Sequence, residues 1–222
     1  MKKTETNLIL ITVLFASALV TSNVLAGKAI VTGWTMFGQP VQFTSAVLAY
    51  AITFLATDVV GELWGRAKAQ TVVLVGFAAQ VLSTVLIMVA LAMPAAADTA
   101  NVYHQTLGTN WLFFIASMTA YLVSQTWDVR VFHRIRDAIL TRNSDNWRHR
   151  WIWNNASTVT SQLIDSLIFN GIAFGIGFGM FSNPAALAAM IIPYYGIKIL
   201  IAILDTPLFY LLTRNSKQTP AA

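Results

Sequence analysis

The chain has 222 residues, of which 56% are hydrophobic and only 10% charged, with a net charge of +5. A soluble domain carries about a quarter charged residues, so this deficit points to a membrane protein. The absence of cysteine excludes disulfides, thiolate metal sites and cysteine nucleophiles together.

Six apolar runs reach the roughly 20 residues that cross a bilayer as a helix. In chain order they cover residues 8–26, 41–60, 71–93, 111–132, 156–181 and 184–212. No linker or low-complexity stretch divides them, so one all-α, polytopic transmembrane domain over 1–222 is expected. The first run, behind Lys2-Lys3 and ending Val24-Leu25-Ala26, has the look of a cleavable signal peptide. It is read as a retained span, because its loss would spoil the even topology. On it, Ala18, Ser22 and Ala26 make a small-residue ridge, and Gly171, Gly175 and Gly179 make another on the fifth. Such ridges let helices approach closely, within one chain or in a homodimer. Pro193, with Gly196 behind it, is expected to kink or break the long sixth run. Residues 94–110 read as an outer loop. Residues 133–155 read as an inner amphipathic basic helix followed by Trp147, Trp151 and Trp153, suited to the headgroup layer.

Cationic side chains set the orientation. Lys2, Lys3, Arg66, Lys68, Arg134, Arg136, Arg142, Arg148, Arg150, Arg214 and Lys217 all fall on one side, and Lys28 alone on the other. Arg130 and Lys198 lie within spans. The positive-inside rule then puts both termini in the cytoplasm. The basic balance is topological, so no nucleic-acid partner is expected. His104, His133 and His149 fall in polar segments, so neither a metal site nor another cofactor is expected at membrane depth.

Polar residues inside the spans carry the functional signal, because burying them in lipid is costly. They are Asn23, Asp58, Glu62, Gln80, Gln125, Asp128, Arg130, Gln162, Asp165, Asn170, Lys198 and Asp205. Asp165 lies about nine residues into its run, or ~14 Å along a helix, close to the midplane. Asp128, Glu62 and Arg130 lie nearer the cytoplasm. One pattern occurs twice: residues 124–132 read SQTWDVRVF and residues 161–169 read SQLIDSLIF. Ser161, Gln162 and Asp165 share one helical face, and Ser124, Gln125 and Asp128 repeat the arrangement. An Asp165–Lys198 pair that merely locks the bundle is one reading. For Asn23, Gln80 and Asp205, hydrogen-bond glue between helices is the plainer reading. Gln162, Asp165 and Asn170 together on one deep face favour binding. A carboxylate accepts two parallel N–H bonds and an amide both donates and accepts. That chemistry suits the aminopyrimidinone edge of a guanine-like base, or a primary ammonium, with Trp64, Trp111, Trp127, Tyr194 or Tyr195 available to stack on a flat ring.

Several segments resemble the queuosine precursor transporters, within the vitamin uptake transporter family. They are TSNVLAGK (21–28), FLATDVVGELWGR (54–66), SQTWDVRVFHRIR (124–136), NNASTVTSQLIDSLIFNGIAF (154–174) and YYGIKILIAILDTPLFYLL (194–212). The resemblance implies a six-helix inner-membrane importer of 7-cyano-7-deazaguanine, 7-aminomethyl-7-deazaguanine and, in some members, queuine. Lys198 matches the family's sixth-helix lysine. Substrate contact is expected of Gln162, Asp165, Asn170, Asn23, Asp58 and Lys198. Gating or coupling is expected of Glu62, Gln125, Asp128 and Arg130, Asp128 either helping to form the cytoplasmic gate or making a polar link to Arg130. The rival reading is a substrate-binding subunit of an energy-coupling-factor vitamin importer. No P-loop pattern is present, so the chain would not itself be the ATPase. An enzyme is not expected, because only Ser–Lys or paired-Asp chemistry is available.

Overall fold

The computed structural model describes residues 1–26, 28–94, 97–108, 111–142, 149–177 and 179–214. Trp147, Arg148 and Lys217, counted above for anchoring and orientation, lie outside the described residues. Seven α-helices and one hairpin are described: α1 Glu5–Leu25, β1 Ala29–Met36, β2 Gln39–Thr44, α2 Val47–Trp64, α3 Arg66–Ala92, α4 Ala97–Leu107, α5 Trp111–Arg142, α6 Arg150–Asn170 and α7 Pro184–Thr213. Glu5–Leu25, Arg66–Ala92, Arg150–Ile176 and Pro184–Thr213 are long and apolar enough to cross a membrane. The chain is an α-helical, multi-pass membrane protein.

α2 is the axis of the bundle. It packs against α1, α3, α5 and α7, and almost every residue from Thr53 to Leu63 is buried. Phe15 and Leu19 of α1, Val59 and Val60 of α2, Tyr121 and Phe132 of α5, Trp153 of α6 and Phe209 of α7 form the apolar core. The Tyr121 hydroxyl donates to the Val73 carbonyl at 2.7 Å, tying α5 to α3. Leucine and isoleucine side chains on α1, α3 and α7 point outward, among them Leu14, Leu86 and Leu204. α1 starts on Thr4, whose hydroxyl accepts from the Asn7 N–H. α7 starts on Asn183, which accepts from the Ala186 N–H, with Pro184 in the first turn.

Several expectations are corrected. The second helix begins at Val47 rather than Val41, because Val41 belongs to an antiparallel hairpin. The strands pair Met36 with Gln39 across Phe37-Gly38, and both turn residues take positive φ, 53° and 75°. That is the turn whose twist matches paired strands. α5 runs on to Arg142, absorbing the first part of the expected basic inner helix. Ala97–Leu107, expected as loop, is helical. α7 continues through Pro193 without a break. Trp151 is exposed as an anchor would be, but Trp153 is fully buried in the core.

The glycine ridge does not form. After Asn170 the helix widens into a π-helical turn, Gly171–Ile176, in which the Gly177 N–H reaches the Ile172 carbonyl. Gly179, at φ 65°, then reverses the chain. The three glycines therefore share no straight helical face, and the homodimer loses its support. Gly175 instead receives the Phe181 ring from the same turn. The close approach occurs at Gly76, where a Cβ would stand 2.2 Å from the Phe15 ring and 2.9 Å from the Tyr121 hydroxyl. Gly76→Ala is expected to cost about 1–3 kcal/mol through overpacking. Gly171→Ala, with nothing within 4 Å, is expected to melt as wild type. Thermal unfolding of both variants in detergent checks this.

Candidate functional site

α6 is an inverted helix. Its buried side chains are Arg150, Trp153, Asn154, Ser157, Thr158, Ser161, Gln162, Asp165, Ser166 and Asn170, all polar but Trp153. The spacing of three and four residues makes this one stripe, while Leu163 and Leu167 face outward. The stripe meets polar groups of α2, α5 and α7 at three levels.

At the deepest level, Lys198 of α7 donates to Asp165 Oδ2 at 2.5 Å, and the Ser124 hydroxyl of α5 donates to Oδ1 at 3.3 Å. The Lys198 ammonium also lies over the Tyr194 ring, 4.5 Å from its centre. A cleft of about 30 Å³, roughly the share of one water, opens between Asp165, Tyr194, Phe169, Asn23, Ser117 and Thr44. Thr44 and Ala46, at the base of the hairpin, help to wall it. Gln162 is 3% exposed, and its Oε1 has no hydrogen-bond partner among the described residues; neither has Ser166 Oγ. Asn170 is buried one turn beyond and donates to the Ser166 carbonyl. Asn23 donates weakly to Ser117 at 3.5 Å. It also lines a second cavity of about 720 Å³ toward the hairpin end, with Gln80, Thr84, His104 and Trp111. That volume suits a small-molecule pocket.

At the middle level the repeated motif explains itself. The Ser161 hydroxyl donates to Asp128 Oδ1 at 2.8 Å, while Ser124 donates to Asp165. Each copy of Ser-Gln-x-x-Asp lends its serine to the aspartate of the other, across antiparallel helices. The glutamines differ. Gln125 is held by α2, accepting from Thr57 at 3.3 Å and donating to Thr53 at 3.4 Å. Asp58 of α2 accepts from Thr158 at 3.3 Å and stands beside Asp128.

At the third level Glu62 of α2 is met by Arg136 of α5 at 3.1 Å and Arg150 of α6 at 3.4 Å. Arg150 also donates to the Thr213 carbonyl and hydroxyl of α7, at 2.6 and 3.0 Å. Four helices are thus tied at one end of the bundle. Met1 donates its amino group to the Leu212 carbonyl at the same end. Arg130 joins none of this. It is exposed, on the opposite side of α5 from Asp128, so the expected link between them is not made. Arg136 and Arg150, expected as topological charge, also serve inside the bundle. Their signal was Glu62 itself, a carboxylate in an apolar run that needs a cation.

These levels place the polar groups of the resembling segments in one column. A family model described as "Putative vitamin uptake transporter" matches residues 44–212. The chain belongs to the vitamin uptake transporter family. A relative from Bacillus subtilis (strain 168), named "Probable queuosine precursor transporter", is 31% identical over 191 residues, covering 85% of this chain and 79% of that relative. The resemblance drawn from the sequence is thereby borne out. No solved structure matches this family member.

Arg150→Ala leaves Glu62 with one cation and the end of α7 without its donor. It is expected to cost about 3 kcal/mol, as removing one partner from a buried ion pair does. Arg130→Ala is expected to stay within about 0.5 kcal/mol of wild type. Unfolding of both in detergent micelles decides whether the third level is the structural clamp of the bundle.

Proposed function

We propose that this chain imports queuosine precursors of the 7-deazaguanine type across the inner membrane, with six spans and both termini in the cytoplasm. The observation that carries the reading is Asp165 beside Gln162. A deep carboxylate already receives a hydroxyl and an ammonium, and next to it stands an amide whose oxygen is still free. The aminopyrimidinone edge presents N–H groups to the carboxylate and to the Gln162 oxygen. Its carbonyl takes the Lys198 ammonium. Tyr194 offers its ring face to the flat bicycle, and Asn170 and Asn23 bound the site. The relative's name agrees with this class of substrate.

The α2 and α5 spans in this reading are the helices that carry Asp58, Glu62 and Asp128. Both line the column, α2 while staying as apolar as α1 and α3, and α5 while carrying its basic end beyond the apolar run. Both sides are closed at Asp165. Toward the hairpin end, Asn23 divides the small cleft from the larger cavity, so substrate enters from that cavity once α1 and the hairpin base give way. Toward the other end, Gln125, Asp128 and the Glu62–Arg136–Arg150 clamp form the inner gate. Arg130 has no place in it.

The test is uptake of labelled 7-deazaguanine precursors into liposomes that contain only this protein. Saturable uptake is expected, and Asp165→Asn and Gln162→Ala are each expected to lower kcat/KM at least tenfold, about 1.4 kcal/mol of recognition. Normal uptake by both variants would make the face structural. Binding without accumulation would favour the substrate-binding subunit of an energy-coupling-factor importer.

A further inference from the structure

Among the described residues four carboxylates are buried in the bundle: Asp58, Glu62, Asp128 and Asp165. Two of them meet cations, Glu62 with Arg136 and Arg150, and Asp165 with Lys198. Among the described residues, Asp58 and Asp128 have no ion pair. They stand beside each other against α6, Asp58 on α2 and Asp128 on α5. Each is approached by one hydroxyl from adjacent turns of α6, Thr158 on Asp58 and Ser161 on Asp128. Asp128 is fully buried, and its Oδ2 receives no hydroxyl or amide N–H in bonding geometry among the described residues. Ser157 of α6 stands beside Asp128, and the remaining ionisable group facing Asp58 is Asp205 of α7, another acid.

Among the described residues no cation offsets this pair, and a third carboxylate faces it. Two ionised carboxylates cannot hydrogen-bond to each other, since both are acceptors. At this depth an unpaired charge is costly, and two like charges in contact more so. A single proton between them resolves both problems: one oxygen donates and the other accepts, in a short charge-assisted bond.

We propose that Asp58 and Asp128 share one proton, and that this proton crosses the membrane with the substrate. The coupling rests on the transport reading above; the proton site itself does not. The two carboxylates belong to different helices, α2 and α5, so they stay in contact only while those helices do. From the outer side one proton joins two carboxylates, taking the pair from two negative charges to one. When α2 parts from α5 on the inner side, the O–H···O bond breaks and the proton leaves to the cytoplasm. One proton enters and one leaves for each substrate. The pair lies between Asp165 and the Glu62 clamp, on the path the substrate takes after leaving its site.

The experiment has two readouts. Infrared spectra of the full-length protein in detergent at neutral pH are expected to show a protonated carboxyl band that Asp58→Asn and Asp128→Asn each remove. In liposomes, an inward proton gradient is expected to drive accumulation of labelled 7-deazaguanine precursor up to about tenfold per pH unit, one proton per substrate. Asp128→Asn, which carries a fixed N–H donor, is expected to abolish the pH dependence. Ser161→Ala, a milder change, shifts the midpoint of the profile. Absence of the band in wild type overturns the proton site. Accumulation that ignores pH, or that follows a sodium gradient, overturns the coupling while leaving the transport reading intact. The band without uptake at any pH overturns the coupling together with that reading.

Discussion

A carboxylate surrounded by apolar side chains and lipid must be given a counter-charge, a proton or several donors, and this constraint organises the whole bundle. α2 brings Asp58 and Glu62 to its centre, and the surrounding helices are arranged to answer them. Arg136 and Arg150 approach from α5 and α6, hydroxyls approach from α6, and Lys198 on α7 answers Asp165 in turn. The apolar core fills the space between these contacts, with Phe132, Trp153 and Phe209 packed near the clamp. Packing of this kind would accept many sequences. The polar column accepts few, because each member leaves another unsatisfied when removed.

The column grades from static to available. At the Glu62 end the carboxylate meets two guanidinium groups, and Arg150 makes contacts to two helices. Midway, Gln125 is saturated by two threonines, so one glutamine of the repeated motif serves as a strut. At Asp165 the other glutamine keeps an oxygen free, and a cleft adjoins it. Equal sequence therefore yields unequal roles, and the difference lies in what the facing helix supplies. α2 offers Thr53 and Thr57 to Gln125, whereas nothing among the described residues answers the Gln162 oxygen.

Much of this was legible from the chain. Apolar length located the helices, and the rarity of polar residues within them picked out Asp58, Glu62, Asp128, Gln162, Asp165 and Lys198. All of these are buried. The pairing of Asp165 with Lys198 was also foreseeable, because a buried acid and a buried base seek each other. What escaped has definite causes. Val41 looks the same in a strand as in a span, and the Phe37-Gly38 turn carries only one glycine as a signal. The Gly171, Gly175 and Gly179 spacing assumes a straight α-helix, which the π-helical turn removes. Arg130 lies two residues from Asp128, a separation that places the two on opposite sides of a helix; adjacency in sequence misled. Arg136 and Arg150 sit where topology alone explains them, so their second task became visible only when Glu62 was seen between them.

The exchange of hydroxyls between the two Ser-Gln-x-x-Asp copies limits how the bundle can deform. Ser161 with Asp128 and Ser124 with Asp165 are two crossed rungs, set about 6 Å apart along the helices. To slide α6 past α5 would break both rungs in the same step. Tilting the two helices together breaks neither. The α5–α6 pair is therefore a single rigid strut with one permitted kind of motion, rotation as a unit. α2 and α7 are fastened to that strut at several levels, whereas α1 reaches it, among the described residues, by one weak hydrogen bond from Asn23 to Ser117. A cross-link between α5 and α6 would add little to what the crossed rungs already hold, whereas one between α1 and α5 would fix a contact that is now loose.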